Sequence, residues 1–103
     1  MEDSRLAPLG ESMLLQDIDA LILERQLDRL TEANYRRSVK YFSDFLGRSA
    51  TRDDLTEKQV NDWLRDLETK KAMSTVLGHK RSITVLWNWL TDRGHVAAYN
   101  PRR

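Results

Sequence analysis

The stretch TEANYRRSVKYFSDFLG, Thr31 to Gly47, decides the fold. Tyr35, Val39, Phe42 and Leu46 fall at i, i+4, i+7 and i+11, which lays one apolar stripe along a helix. Thr31 is placed to cap that helix and Gly47 to stop it, so both ends carry their own signals. Downstream, Thr56 and Gln59 have capping-box spacing, and Val60, Trp63, Leu64 and Leu67 form the stripe of a third helix, expected to fray near Lys70 and Lys71. Ser74 is expected to cap a fourth helix with the stripe Val76, Ile83, Leu86, Trp87 and Leu90, ending at Gly94. Upstream, Leu14, Ile18, Leu21 and Ile22 predict a first helix from about Met13 to Leu27, after a loose lead containing Pro8 and Gly10. No long period-two segment occurs, and the fold is read as all-α, a compact four-helix domain.

The 103 residues make one domain with a modest core. Residues 1–12 are read as the lead and 13–99 as the helical domain. Residues 100–103 are read as the start of a linker, because Pro101 cannot continue a helix and holds Asn100 toward extended geometry. A further domain is expected beyond it. Phe42, Trp63 and Trp87 are placed at the centre of the core. Trp89 and Val85 point away from the fourth stripe, so either the first helix covers them or they form a docking patch.

The chain contains no cysteine and two histidines, His79 and His95, which leaves neither disulfides nor a thiolate metal site. No metal or cofactor is expected. No apolar run approaches the roughly 20 residues of a membrane span, and the start does not resemble a signal peptide. A cytoplasmic protein is expected. The net charge of +1 conceals an asymmetry: Met1 to Asp28 carries seven acids against Arg5 and Arg25, and the remainder carries 15 bases against nine acids. Such an imbalance suits a polyanion partner, and equally a solubilising surface.

The bases concentrate on helices two and four. Arg36, Arg37 and Lys40 lie on the second helix and Lys80 and Arg81 on the fourth, accompanied by Asn34, Ser38, Ser74, Thr75 and His79. Cations neutralise phosphates, and short polar groups reach bases or phosphate oxygens, which is what a duplex-reading surface needs. The start of helix four, at Ser74 and Thr75, also suits a phosphate. His79 has three open roles: nucleic-acid contact, core-edge histidine, or none. Asp53 with Asp54, and Asp62 with Asp66, read as solvated surface pairs. No phosphate loop, nucleophile elbow or metal-ligand pair is present, and Tyr35, Tyr41 and Tyr99 lack the basic cluster of an activated nucleophile.

In this order and spacing, Thr31-x-x-x-Tyr35 with Val39, Phe42 and Leu46, then Leu55-Thr56 with Val60 and Leu64, then Ser74-Thr75-Val76 with Ile83, Leu86, Trp87 and Leu90, and finally Gly94-x-Val96 before Asn100-Pro101, resemble one family. It is the N-terminal core-binding, or SAM-like, domain of phage-integrase-type tyrosine recombinases, and the resemblance covers about Ile18 to Pro101. It implies one half of a C-shaped clamp on double-stranded DNA, with a catalytic domain in cis as the other half and further recombinase protomers on the same DNA. By position it assigns Asn34, Arg37 and Lys40, with Ser74, Thr75, His79 and Lys80, as the groove-facing candidates. The family's catalytic set lies in the other domain, and neither histidine here opens its His-x-x-Arg pair, since Ser82 follows His79 and Ala98 follows His95 at that spacing. The expectation is therefore a non-catalytic, monomeric DNA-binding part of a recombinase acting in DNA integration and recombination. The acidic start differs from the basic arm-binding domain of some members.

Two other readings remain open. A free-standing helix-turn-helix regulator would use Ser74 to Ile83 for recognition, although the connection from Leu67 to Ser74 is long for that motif. A helical protein interaction module would use Trp89, Val85 and Leu77.

Overall fold

The helix boundaries are set by local hydrogen bonds that can be followed one by one. The structure, a computed structural model, describes residues 13–97. Helix α1 spans Leu14–Arg25, α2 Arg29–Leu46, α3 Glu57–Glu68 and α4 Met73–Asp92, with a 3-10 turn at Arg52–Asp54. Among the described residues there is no strand, only an isolated antiparallel bridge between Met13 and Thr51. The all-α fold is as the periodicity predicts. The lead before Met13, Tyr99 and the Asn100-Pro101-Arg102-Arg103 ending lie outside the described residues.

Three helices end in the same way. Gln26, Gly47 and Gly94 adopt left-handed backbone with φ of 52°, 77° and 76°. After each, the next N–H reaches back five residues: Leu27 to the Ile22 carbonyl, Arg48 to Ser43 and His95 to Leu90. This closure satisfies carbonyls that the last turn would otherwise leave open, and glycine accepts the conformation without a Cβ clash. Gln26 adopts it at a cost of roughly 1 kcal/mol.

The starts differ from the sequence expectation in three places. Asp28, not Thr31, caps α2: its carboxylate accepts the Thr31 N–H at 2.7 Å. Both are capping residues three apart, and the anionic one suits the positive end of the helix. Thr56 caps α3 by accepting the Gln59 N–H at 3.2 Å, yet the box does not close, because the Thr56 N–H donates to the Asp54 carbonyl and the Gln59 amide to the Asp54 carboxylate. The closed capping box belongs instead to Thr51 and Asp54. Helix α4 starts two residues early, with Ala72 as its cap, so Ser74 lies within the first turn.

Asp54 is a correction of a different kind. Expected on the surface, it is 3% exposed. It accepts from the Arg48 guanidinium, the Thr51 N–H and hydroxyl and the Gln59 amide. Burial raises its carboxyl, but Arg48 and the other donors outweigh that and bring it down to about 2. Asp62 and Asp66 lie on the outer face as expected, paired with Lys58, Arg65 and Lys70.

Phe42, Trp63 and Trp87 are fully enclosed, the first two with ring centroids 5.1 Å apart. The Trp87 indole N–H donates to the Ala97 carbonyl at 2.7 Å, tying the segment after Gly94 back along α4. Trp89 is buried as well. Its indole N–H donates to Glu24 of α1 at 3.1 Å and the Arg93 guanidinium lies 4.0 Å over its ring. Of the two readings left open for Trp89, cover by the first helix is the one observed, and Val85 is half-buried beside the core. Asp17 of α1 is buried against Arg52 at 2.8 Å, which joins the first helix to the turn before α3.

Candidate nucleic-acid interface

Helix α2 carries Thr31, Asn34, Ser38 and Tyr41 along one face, and α4 carries Thr75, Gly78, His79 and Ser82. Both sets follow helical steps of three and four residues, with Gly78 and His79 side by side on α4, so each forms a polar stripe beside the apolar one. Where the stripes face each other they enclose a cleft of about 440 Å³, also lined by Tyr35, Arg37, Lys71 and Arg81. Among the described residues, three cations and no carboxylate line it. Gly78 is an exposed part of its lining, where a Cβ would meet nothing within 4 Å.

One hydrogen-bonded chain crosses the cleft wall. The Ser38 hydroxyl donates to the Asn34 carbonyl at 3.1 Å and lies 2.7 Å from His79 Nδ1. A hydroxyl has one proton, and with that proton on the carbonyl the imidazole donates from Nδ1 to Ser38. His79 is 6% exposed, with its ring edge-on to Tyr41 at 5.2 Å and tilted against Trp63 at 6.0 Å. Burial, then the charges of Arg37 and Lys71, hold its imidazole below the ordinary value. Arg37 donates to the Asn34 side chain at 3.0 Å, and Lys71 sits over the Tyr41 ring at 5.4 Å.

Of the residues singled out in the sequence, the fold gathers Asn34, Arg37, Thr75, His79 and Arg81 at this cleft. It places the others elsewhere. Arg36 turns toward α1, 2.6 Å from Asp19 and 3.3 Å from Glu32. Lys40 pairs with Asp44 at 3.2 Å on exposed surface. Lys80 shares the Met73, Val76 and Leu77 face of α4 and lines a separate hollow against α3. Ser74 is exposed in the first turn, outside the cleft lining. The cleft is also lined by residues outside that set, Thr31, Tyr35, Tyr41, Gly78, Ser82 and the cation Lys71. Lys71 lies in the turn between α3 and α4, outside both helices, so no helical spacing marks it in the sequence.

Among the described residues no three His, Asp or Glu side chains gather to hold a metal ion, and no helix is long and apolar enough to cross a membrane.

A sheetless four-helix domain with a basic cleft between its second and fourth helices is an all-α domain of the SAM-like class. Residues 14–95 match the model for the phage integrase N-terminal SAM-like domain, and the chain belongs to that family, which sets it in the context of the tyrosine recombinases. No curated protein and no solved structure matches the chain.

Proposed function

We propose that this domain binds double-stranded DNA through the α2–α4 cleft and its rims, as the site-holding part of a site-specific tyrosine recombinase. The observation that carries the reading is the cleft lining, in which Arg37, Lys71 and Arg81 stand among hydroxyl and amide groups with no carboxylate among the described residues. Phosphate oxygens pair with the cations, and Asn34, Thr75 and His79 are short enough to reach base edges or the backbone. Arg36 and Lys40 already have carboxylate partners, so they support the field around the cleft more than they grip DNA. Lys80 and Ser74 join the contact only if the duplex extends past the start of α4.

In the same reading, strand cleavage belongs to a catalytic domain in cis, and other protomers occupy the same DNA. A cytoplasmic location and a monomeric isolated domain go with it. Alone, half a clamp loses the effective concentration of its linked partner, so binding of about 10⁻⁴ to 10⁻⁶ M at physiological salt is expected. Titrating the labelled domain with a duplex and following its amide resonances tests the reading. Shifts centred on Asn34, Arg37, Lys71, Thr75 and Arg81 support it; shifts confined to α1 and α3, or none at low salt, refute it.

A further inference from the structure

His79 is built into the cleft in a way that simple phosphate binding does not require. A buried side chain at a helix crossing is ordinarily apolar, and an exposed phosphate ligand is ordinarily Lys or Arg. Here an imidazole is enclosed, anchored through Nδ1 to Ser38, and surrounded by cations. The hydrogen bond that holds the ring within the described residues is made by Nδ1, not by its second nitrogen, Nε2, and His79 lines the cleft.

We propose that the Ser38–His79 pair makes DNA binding proton-linked: the imidazole is neutral while the cleft is empty and takes up a proton when a phosphate lies across Arg37 and Lys71. The inference rests on the DNA-binding reading above and adds a regulatory property to it.

The surroundings of His79 can be taken element by element. From α2 come Asn34, Ser38 and the cation Arg37, with Tyr41 edge-on. From α3 and the turn after it come Trp63 and the cation Lys71. Its own helix adds Arg81. Beyond Tyr41, in the adjoining hollow, Asp44 and Asp66 are paired with Lys40 and Lys70. An added proton in the empty cleft therefore meets desolvation and like charge, with no carboxylate among the described lining residues to offset them. A phosphate reverses both terms, because it neutralises the two cations and supplies an oxygen that accepts from a protonated Nε2. The proton comes from the buffer to Nε2, while Nδ1 keeps its bond to Ser38. Because the bound form holds the proton more firmly than the free form, affinity rises as pH falls through the imidazole range.

The test uses the whole chain and a mixed-sequence duplex with 5′-hydroxyl ends, so that no terminal phosphate titrates. Affinity is measured by fluorescence anisotropy from about pH 5.5 to about pH 8 at constant salt. Proton uptake is measured by calorimetry in buffers of different ionisation enthalpy. The expected result is net uptake of up to one proton and a loss of affinity with rising pH of up to about tenfold per unit. His79→Asn should show an affinity that no longer varies with pH and no proton uptake, and His95→Asn should keep both the uptake and the pH dependence. Should His79→Asn fail to fold, the native imidazole resonances decide: the His79 titration must move to higher pH when duplex is added. Binding without uptake, uptake that persists in folded His79→Asn, or an unmoved His79 titration overturns this inference and leaves the DNA reading standing. No binding at any pH overturns both.

Discussion

Ser38 and His79 lie 41 positions apart in the chain and 2.7 Å apart in the fold, and theirs is a buried side-chain hydrogen bond joining α2 to α4. Ser38→Ala would leave a buried imidazole nitrogen without a partner, which should cost about 1–3 kcal/mol in urea denaturation. Combined with His79→Asn, the two losses should fall short of additive by at least about 0.5 kcal/mol. Additive losses would mean that the bond contributes nothing to the crossing.

The same histidine gives stability a pH dependence. Its folded form binds a proton less readily than the unfolded chain, because of burial first and then Arg37 and Lys71. The stabilisation is therefore fully present above the unfolded value and is lost as pH falls through it toward the folded value. Chemical denaturation across the histidine range should show a decline toward acid that His79→Asn reduces; an identical slope in the variant would contradict it.

Asp54 acts at lower pH. Held at about 2 in the folded state, against an ordinary 3.8, it contributes stability above the ordinary value that disappears as pH falls from there toward about 2. Roughly 2 kcal/mol should be lost over that window. Asp54→Ala should remove a similar amount at neutral pH and flatten the acid limb. A variant as stable as the native chain would show that the Arg48, Thr51 and Gln59 bonds are replaceable by water.

Charge removal separates the faces of α4. Arg37→Gln, Lys71→Gln and Arg81→Gln should each weaken duplex binding and reduce the salt slope by about 1, whereas Lys80→Gln should change both far less. Equal effects at Lys80 and Lys71 would move the interface away from the cleft.

Gly78 offers the reverse experiment. It lies inside α4, where glycine costs about 0.5–1 kcal/mol relative to alanine, and a Cβ there meets open space. Gly78→Ala should therefore raise the melting temperature. If it does so and also weakens duplex binding, the open space beside Gly78 is used by the ligand.

The helices were legible because four apolar stripes repeat at helical spacing, and every residue named in the α3 and α4 stripes is buried. Caps were less legible. Asp28 and Thr31 are both capping types three residues apart, and only tertiary placement decides between such pairs. Asp54 looked exposed because the residues that make its burial tolerable, Arg48 and Gln59, belong to other segments. The cleft was half legible: Arg37 and Thr75 were found by residue type, but a charge inventory cannot tell Lys80 from Lys71. Spacing assigns Lys80 to the Met73, Val76, Leu77 row, but Lys71 stands in the turn before α4, where only the fold brings it to the cleft. Arg36 was misleading for a related reason, its carboxylate partner Asp19 being on another helix.

The bond from the Trp87 indole to the Ala97 carbonyl has a mechanical meaning. Trp87 is a core side chain, so tension applied to the chain at Ala97 is delivered into the centre of the bundle before it can unwind the last turn of α4. Under load the domain should yield as one unit, in a single force step. Trp87→Phe, which retains an aromatic ring but lacks the N–H, should add an earlier, weaker step as the segment from Arg93 to Ala97 peels away.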